Sequence, residues 1–242
     1  GIKAQFGTMG KPMNAGYAAA NGVEAAQFAA AGMTSDPGAL DATNGFAATH
    51  HGAGDAAAWN GIGSDWLFET VSHKLHACCH GNHAMIEALR TIATPDPAKV
   101  PTKVQVFVHP RWLTVCDIVE PATGLEAKFS LRLCAAMALA GHDTGALDSF
   151  SDVMCGDPVL CALRDRVRVH GDAALAETAS RVRVDGVEAF HDLADAASLA
   201  ARRVRVTDKA ASVIGAAQLQ MVSAAIAGGP DLAQLTAALR GP

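Results

Sequence analysis

The chain has 242 residues, half of them hydrophobic but only 5% aromatic, and a formal net charge of −5. That length suits one large domain or two modest ones, and the acidic balance argues against nucleic acid, whose phosphates call for a basic surface. The apolar run at residues 134–140 is among the longest and falls far short of the roughly 18 residues of a membrane span, so no membrane partner is expected.

The chain opens without an initiator methionine, almost directly in a Gly-rich loop, Gly7-Thr8-Met9-Gly10-Lys11-Pro12. A natural domain rarely begins in such a loop, and the expectation is a truncated chain. The opening Gly1-Ile2-Lys3 does not have the form of a signal peptide. Residues 16–32 read as a helix, with Val23, Ala26 and Ala30 near one face and Gly32 placed to cap its C-terminus. Ser35-Asp36-Pro37 has the form of a second helix start. From residue 42 to 63 the chain is rich in Gly, Ala, Asn and His, which predicts a loop with a short helix around residues 55–59. His50 and His51 fall there and read as surface residues.

After Trp66 the character changes. Ser72-His73-Lys74-Leu75-His76-Ala77-Cys78-Cys79-His80-Gly81-Asn82-His83 sets a second lysine in a polar, His-rich stretch. A helix is predicted over 81–92, with Met85, Ile86 and Leu89 on one side. Pro95, Pro97 and Pro101 punctuate the approach to a strand at 104–108, where Val and polar or aromatic residues alternate. Residues 127–140 form one strongly apolar helix in this reading, with Lys128 at its solvent edge. Two alternating Arg-Val-Arg-Val strands follow at 166–169 and 181–184, their arginines facing solvent, and the second ends in the hairpin signal Asp185-Gly186. The same tetrad at 203–206 does not establish a repeat. The tail from 209 to 239 is Ala-rich and helical, interrupted at Gly228-Gly229-Pro230. The predicted fold class is α+β: an Ala-rich helical domain, partial here, with an inserted smaller α+β lid. The boundaries are 1–69 for the helical part, 70–198 for the lid and 199–242 for helices returning to the body.

Six cysteines, at 78, 79, 116, 134, 155 and 161, lack paired CxxC spacing and read as reduced thiols of a cytoplasmic protein. Cys79 has no evident base beside it and reads as a packing residue. His73, His76, His80 and His83 raise a metal reading, with His80 and His83 on one helix face. Adjacent Cys78 and Cys79 are poorly placed to ligate one ion together, so no metal ligand is assigned. The two lysine stretches carry the stronger signal. A lysine just before a helix presents a cation where unpaired backbone N–H groups also point, the arrangement that suits a small anion.

Taken together, these stretches resemble the MmgE/PrpD family, which includes 2-methylcitrate dehydratase, cis-aconitate decarboxylase and iminodisuccinate epimerase. The resemblance is carried by Gly7-Thr8-Met9-x-Lys11, by Ala-Gly-x-Ala-Ala from Ala15, by Lys74-x-x-x-Cys78-Cys79-x-x-x-His83 and by Ala127-Lys128-Phe129-Ser130-Leu131. Asp157-Pro158-Val159 followed by Val167 and Val169 has the form of the family's later lid strands. The resemblance implies a helical domain and an α+β lid, a homodimer, and chemistry in the cleft between the two without metal or organic cofactor. It also implies that an upstream helical region is missing here. It assigns Lys11, Lys74 and His83 as catalytic, and Thr8, Asn14 and Cys79 as binding a small polycarboxylate substrate. Many relatives have histidine where Asn14 stands, decarboxylase members have histidine at Cys79, and many have tyrosine at Leu133. The implied activity is that of a lyase removing a proton α to a carboxylate and eliminating water. An epimerase of an amino- or imino-dicarboxylate and a non-catalytic remnant are the alternatives.

Overall fold

The computed structural model describes residues 2–50, 55–70, 72–92, 101–195, 197–229 and 231–240. Pro95, Pro97, His51 and Pro230 lie outside them. The chain groups into two compact units, one of residues 1–11 and 73–242 and one of residues 12–72.

In the larger unit, a 3-10 turn at His80–Asn82 leads into helix α3 (His83–Thr91), which helices α1 (Gly10–Ala30) and α2 (Phe46–Thr49) precede along the chain. Met85, Ile86 and Leu89 are buried together, as their 3–4 spacing requires. Strand β1 (Val104–Val108) follows, then α4 (Gly124–Ala127), α5 (Leu131–Leu139), α6 (Asp152–Cys155) and α7 (Pro158–Arg164). Strands β2 (Val167–Gly171), β3 (Ala179–Val184) and β4 (Val187–Asp192) complete a four-stranded mixed sheet in the order β2-β1-β3-β4. β1 runs parallel to β2 and antiparallel to β3, with Val106 opposite Val169 and Val182. β3 and β4 form the predicted hairpin, turning at Asp185 (φ +47°) and Gly186 (φ +90°); two successive positive φ angles are what such a turn demands.

The period-2 pattern sorts the sheet's faces. Val104, Val106, Val108, Val167, Val182 and Val184 are buried against α3 and α5. On the other face Arg181 lies 4.9 Å from the Phe107 ring and pairs with Asp172, while Arg183 pairs with Glu188. The core's largest sealed side chains are Met85, Ile86, Leu131, Leu133, Met137 and Leu160, each contributing on the order of 1.5–3 kcal/mol by leaving water.

Two sequence expectations need correction here. The apolar helix does not run unbroken from 127. Residues 128 and 129 form a turn and Ser130 is extended, with Ile118 N–H bonded to Phe129 O and Leu131 N–H to Cys116 O, and Ser130 then caps α5 through the Leu133 N–H. Asp157-Pro158-Val159 does not belong to a strand: Asp157 accepts from the Val159 and Leu160 N–H groups and opens α7 with proline in its first turn. The third Arg-Val-Arg-Val lies in helix α8 (Leu199–Ile214), followed by α9 (Ala216–Ala227) and α10 (Leu232–Arg240). The tail thus breaks at Gly215 (φ +80°) as well as at Gly228 and Gly229.

Helix α1 (Gly10–Ala30) begins earlier than the apolar spacing suggested, since Pro12 fits a first turn. It ends as predicted at Gly32 (φ +92°), where Met33 N–H reaches Phe28 O and Gly32 N–H reaches Ala29 O. In the second unit, residues 37–40 form turns and no helix starts at Asp36, whose carboxylate accepts the Gly38 N–H. Helix α2 (Phe46–Thr49) and a 3-10 turn at Ala56–Trp59, capped by Asp55, follow. Among this unit's described residues only Gly45 is buried.

Candidate active site

Helix α1 begins in a tight corner. Gly7 is buried at φ +81°, and a Cβ there would lie 3.1 Å from Ile118 Cδ1 and 3.2 Å from Glu126 Cγ, so only glycine lets the loop lie this close. Thr8 is exposed. Its hydroxyl lies 2.9 Å from the Gln5 carbonyl oxygen and accepts the Gly10 N–H at 3.2 Å, a loop-holding role. Lys11 then falls in the first helical turn, where no acidic side chain accompanies it. A cation at that end opposes the helix dipole, a cost that an anionic partner reverses. Its Nζ lies 5.7 Å from the Phe6 ring and 5.8 Å from the Phe129 ring, two rings stacked at 5.1 Å.

Lys74 is exposed on the extended stretch before the 3-10 turn. Among the described residues, neither Lys11 nor Lys74 has a carboxylate within ion-pair distance; every pair found there uses arginine or histidine. Both ammonium groups act on the half-buried Cys79. Its thiol is held down to about 6 by a hydrogen bond from Cys116, against the effect of burial, and further by the Gly81 N–H and the fields of Lys74 and Lys11. Cys116 is pushed up correspondingly, by its bond to Cys79 and by burial. The six cysteines are free thiols.

The histidines form a second layer. His83 is buried, its ring 4.8 Å from His76 and 5.0 Å from His80. Burial lowers all three, and Lys74 lowers His80 further. The His83 Nε2 and the Asn82 Oδ1 are buried without a hydrogen-bond partner among the described residues. His76 accepts from the Thr144 hydroxyl at Nδ1 (2.8 Å) and donates from Nε2 to Glu87 (2.7 Å), the arrangement a neutral ring gives. Burial opposes the charge of Glu87, yet hydrogen bonds from His76 and Arg205 hold its carboxyl at about 2. Beside this network lies a hollow of about 170 Å³ bordered by Leu75, Arg90, Arg205 and Lys209. Its cations already have partners: Arg205 binds Glu87, Arg90 binds Thr144 and Lys209 binds the Gly145 carbonyl.

The fields of Lys11 and Lys74 both bear on Cys79, and Thr8 shapes the loop that carries Lys11. His83 sits deeper, sealed among histidines. Asn14 belongs to the other unit and is exposed on α1. Leu133 is a core residue, and Lys128 is half-buried at the end of α4 rather than at a helix edge in solvent. Sequence reasoning missed Cys116 and Phe6, which approach the site only through long-range packing. The metal reading gains no support, since among the described residues no group of three or more His, Cys, Asp or Glu side chains could hold an ion. No described helix is long and apolar enough to cross a membrane.

A mixed four-stranded sheet backed by helices makes this an α+β protein. Residues 76–210 match the MmgE/PrpD C-terminal domain, and the chain belongs to the MmgE/PrpD family. That span includes Cys79, His83 and Cys116, while Lys11 and Lys74 precede it. No curated protein matches the chain.

Proposed function

We propose that the protein is a cofactor-independent lyase of the 2-methylcitrate dehydratase type, acting on a small polycarboxylate as a homodimer with residues 70–198 as its lid. Family membership supports an enzymatic role in small-acid metabolism. What supports the reaction class is that Lys11 and Lys74, with no carboxylate at ion-pair distance among the described residues, both exert their field on Cys79. Removing a proton α to a carboxylate builds charge on a group that is already anionic, and fixed cations stabilise that charge more in the transition state than in the ground state. Lys11 and Lys74 hold and polarise the carboxylate in this reading, Thr8 and Cys79 contribute to its binding, and His83 is the proposed acid–base residue.

A second reading, an epimerase acting on an amino- or imino-dicarboxylate, is favoured by the lowered His80 and His83. A histidine kept neutral is a poor acid for departing hydroxide, whereas epimerisation needs only proton abstraction and return. The full gene product incubated in D2O with 2-methylcitrate, citrate or L-aspartate separates the two. Loss of water with formation of a C=C bond, read by ultraviolet absorbance, is expected of the lyase; α-deuteration without elimination is expected of the epimerase. Lys11→Ala and Lys74→Ala each reduce the rate by at least about 100-fold in either case. Wild-type rates in both variants contradict the proposal.

A further inference from the structure

The hollow beside the His76–Glu87 network is walled by charges of both signs. From α8, Arg205, Asp208 and Lys209 border its volume of about 170 Å³, and with them stand Arg90, from the last turn of α3, and Asp143. Spacings of three and four residues place the α8 trio on one side of the helix. The two guanidinium groups are held next to each other by a single atom: Glu87 Oε1 lies 2.6 Å from Arg205 Nη2 and 3.9 Å from Arg90 Nη1. Arg90 Nη2 also donates to the Thr144 hydroxyl at 3.3 Å, and that hydroxyl lies 2.8 Å from His76 Nδ1. Lys209 donates to the Gly145 carbonyl, while the Gly145 N–H binds Asp143 Oδ1 at 2.8 Å. The turn at 143–145 is thereby tied to both helices, and the wall has a defined shape.

These contacts do not exhaust the wall. A guanidinium carries five donors and an ammonium three, and the Arg90 and Arg205 side chains are still 42% and 36% exposed. Among the described residues neither Asp143 nor Asp208 has a cation within ion-pair distance. With Glu87 counted, three carboxylates face three cations. A ligand of one sign gains no net attraction from charges that cancel, whereas a ligand with a charge of each sign is matched at both ends. The volume takes several water molecules, which suits a molecule of a few heavy atoms.

We propose that this hollow binds a small free α-amino acid, its carboxylate on the Arg90 and Arg205 guanidinium groups and its ammonium on Asp143 and Asp208. Paired planar forks match the two oxygens of a carboxylate, and an ammonium needs the acceptors that the two aspartates supply. The proposal does not depend on the lysine site. Leu75 also borders the hollow, so an occupant touches the residue that follows Lys74.

The test is calorimetry on the full gene product with L-alanine, propionate and ethylamine, the last two each lacking one charged end. L-alanine is expected to bind at least about tenfold more tightly than either, the cost of deleting a charged hydrogen-bonding group. Asp208→Asn should weaken L-alanine by about tenfold or more and leave propionate unchanged, whereas Arg90→Gln should weaken both. Lys11→Ala should keep wild-type L-alanine affinity. The proposal is overturned by the absence of saturable heat with L-alanine at millimolar concentration, by equal affinity for L-alanine and propionate, or by wild-type L-alanine binding in both Asp208→Asn and Arg90→Gln. Loss of L-alanine binding in Lys11→Ala also overturns it, because the amino acid then occupies the lysine site. Should the hollow's variants not fold, thermal unfolding of the wild-type protein decides. A rise in Tm with L-alanine that exceeds those with propionate and ethylamine at equal concentration supports the site; equal rises contradict it.

Discussion

At the scale of single residues, function rests on small side chains as much as on charged ones. Gly81 is the clearest case. A methyl group there would run into the Trp112 ring at 2.4 and 2.6 Å, so Gly81→Ala must push the indole or the 3-10 turn aside. We expect a loss of about 1–3 kcal/mol in urea unfolding and slower Cys79 alkylation near neutral pH, because the displaced turn no longer aims its N–H at the sulfur. Glu87 sets a second expectation. Its carboxyl ionises at about 2 in the folded protein against 4.5 for the ordinary group, so its stabilisation is complete above about 4.5 and is lost as pH falls towards 2. The side chain is 14% exposed, and the shift corresponds to roughly 3 kcal/mol. His76, His80 and His83, lowered by burial, act in the same sense from about pH 6.5 downward, because protonation favours the unfolded chain. Glu87→Gln should be less stable than wild type at pH 7 and should flatten the decline below pH 4.5, as read from thermal unfolding across pH 2–7. An unaltered acid limb would contradict the network.

At the scale of elements, much of the fold was legible. Val104 to Val108 alternated and formed a strand, Asp185-Gly186 turned a hairpin, and Gly32 ended α1. These features are decided by neighbours along the chain. What stayed hidden was decided across it. Ser35-Asp36-Pro37 offers the chemistry of a helix cap, but no apolar face follows to hold a helix in place. Residues 128–130 look helical by composition, yet Phe129 O accepts from the Ile118 N–H and Ser130 bridges to Asp117. Strand β4 went unrecognised because Val187, Glu188 and Phe190 are all exposed and leave no clean alternation. The site shows the same division. Lys11 and Lys74 announce themselves through local motifs, whereas the bond from Cys116 to Cys79 joins residues 37 apart. Asp185 offers a test of an element's anchor: its carboxylate accepts from the Thr102 and Lys103 N–H groups and the Thr102 hydroxyl. Asp185→Ala should cost about 1–3 kcal/mol and leave the citrate affinity of the distant lysine site unchanged.

At the scale of the whole molecule, hydrophobic burial is divided unequally. The core of the larger unit is built from α3, α5 and α7 with the sheet, while the described residues of 12–72 bury only Gly45 and leave Phe28, Phe46, Trp59 and Trp66 exposed. A segment with so little burial cannot offset the entropy of ordering it. A peptide of residues 12–72 should therefore melt without a cooperative transition by circular dichroism, and a sharp transition would show that it holds a core of its own. Within the larger unit, Lys11 and Lys74 come from distant parts of the chain and both bear on Cys79, and the proposed function requires that they converge on one ligand.

The most direct test of that convergence is calorimetric citrate binding to the full gene product and to its Lys11→Ala, Lys74→Ala and doubly substituted forms. Each single substitution should weaken binding by at least about tenfold, with the two effects coupled by about 0.5–3 kcal/mol because both cations meet one ligand. Wild-type affinity in both single variants, or strictly independent effects, would contradict a shared site.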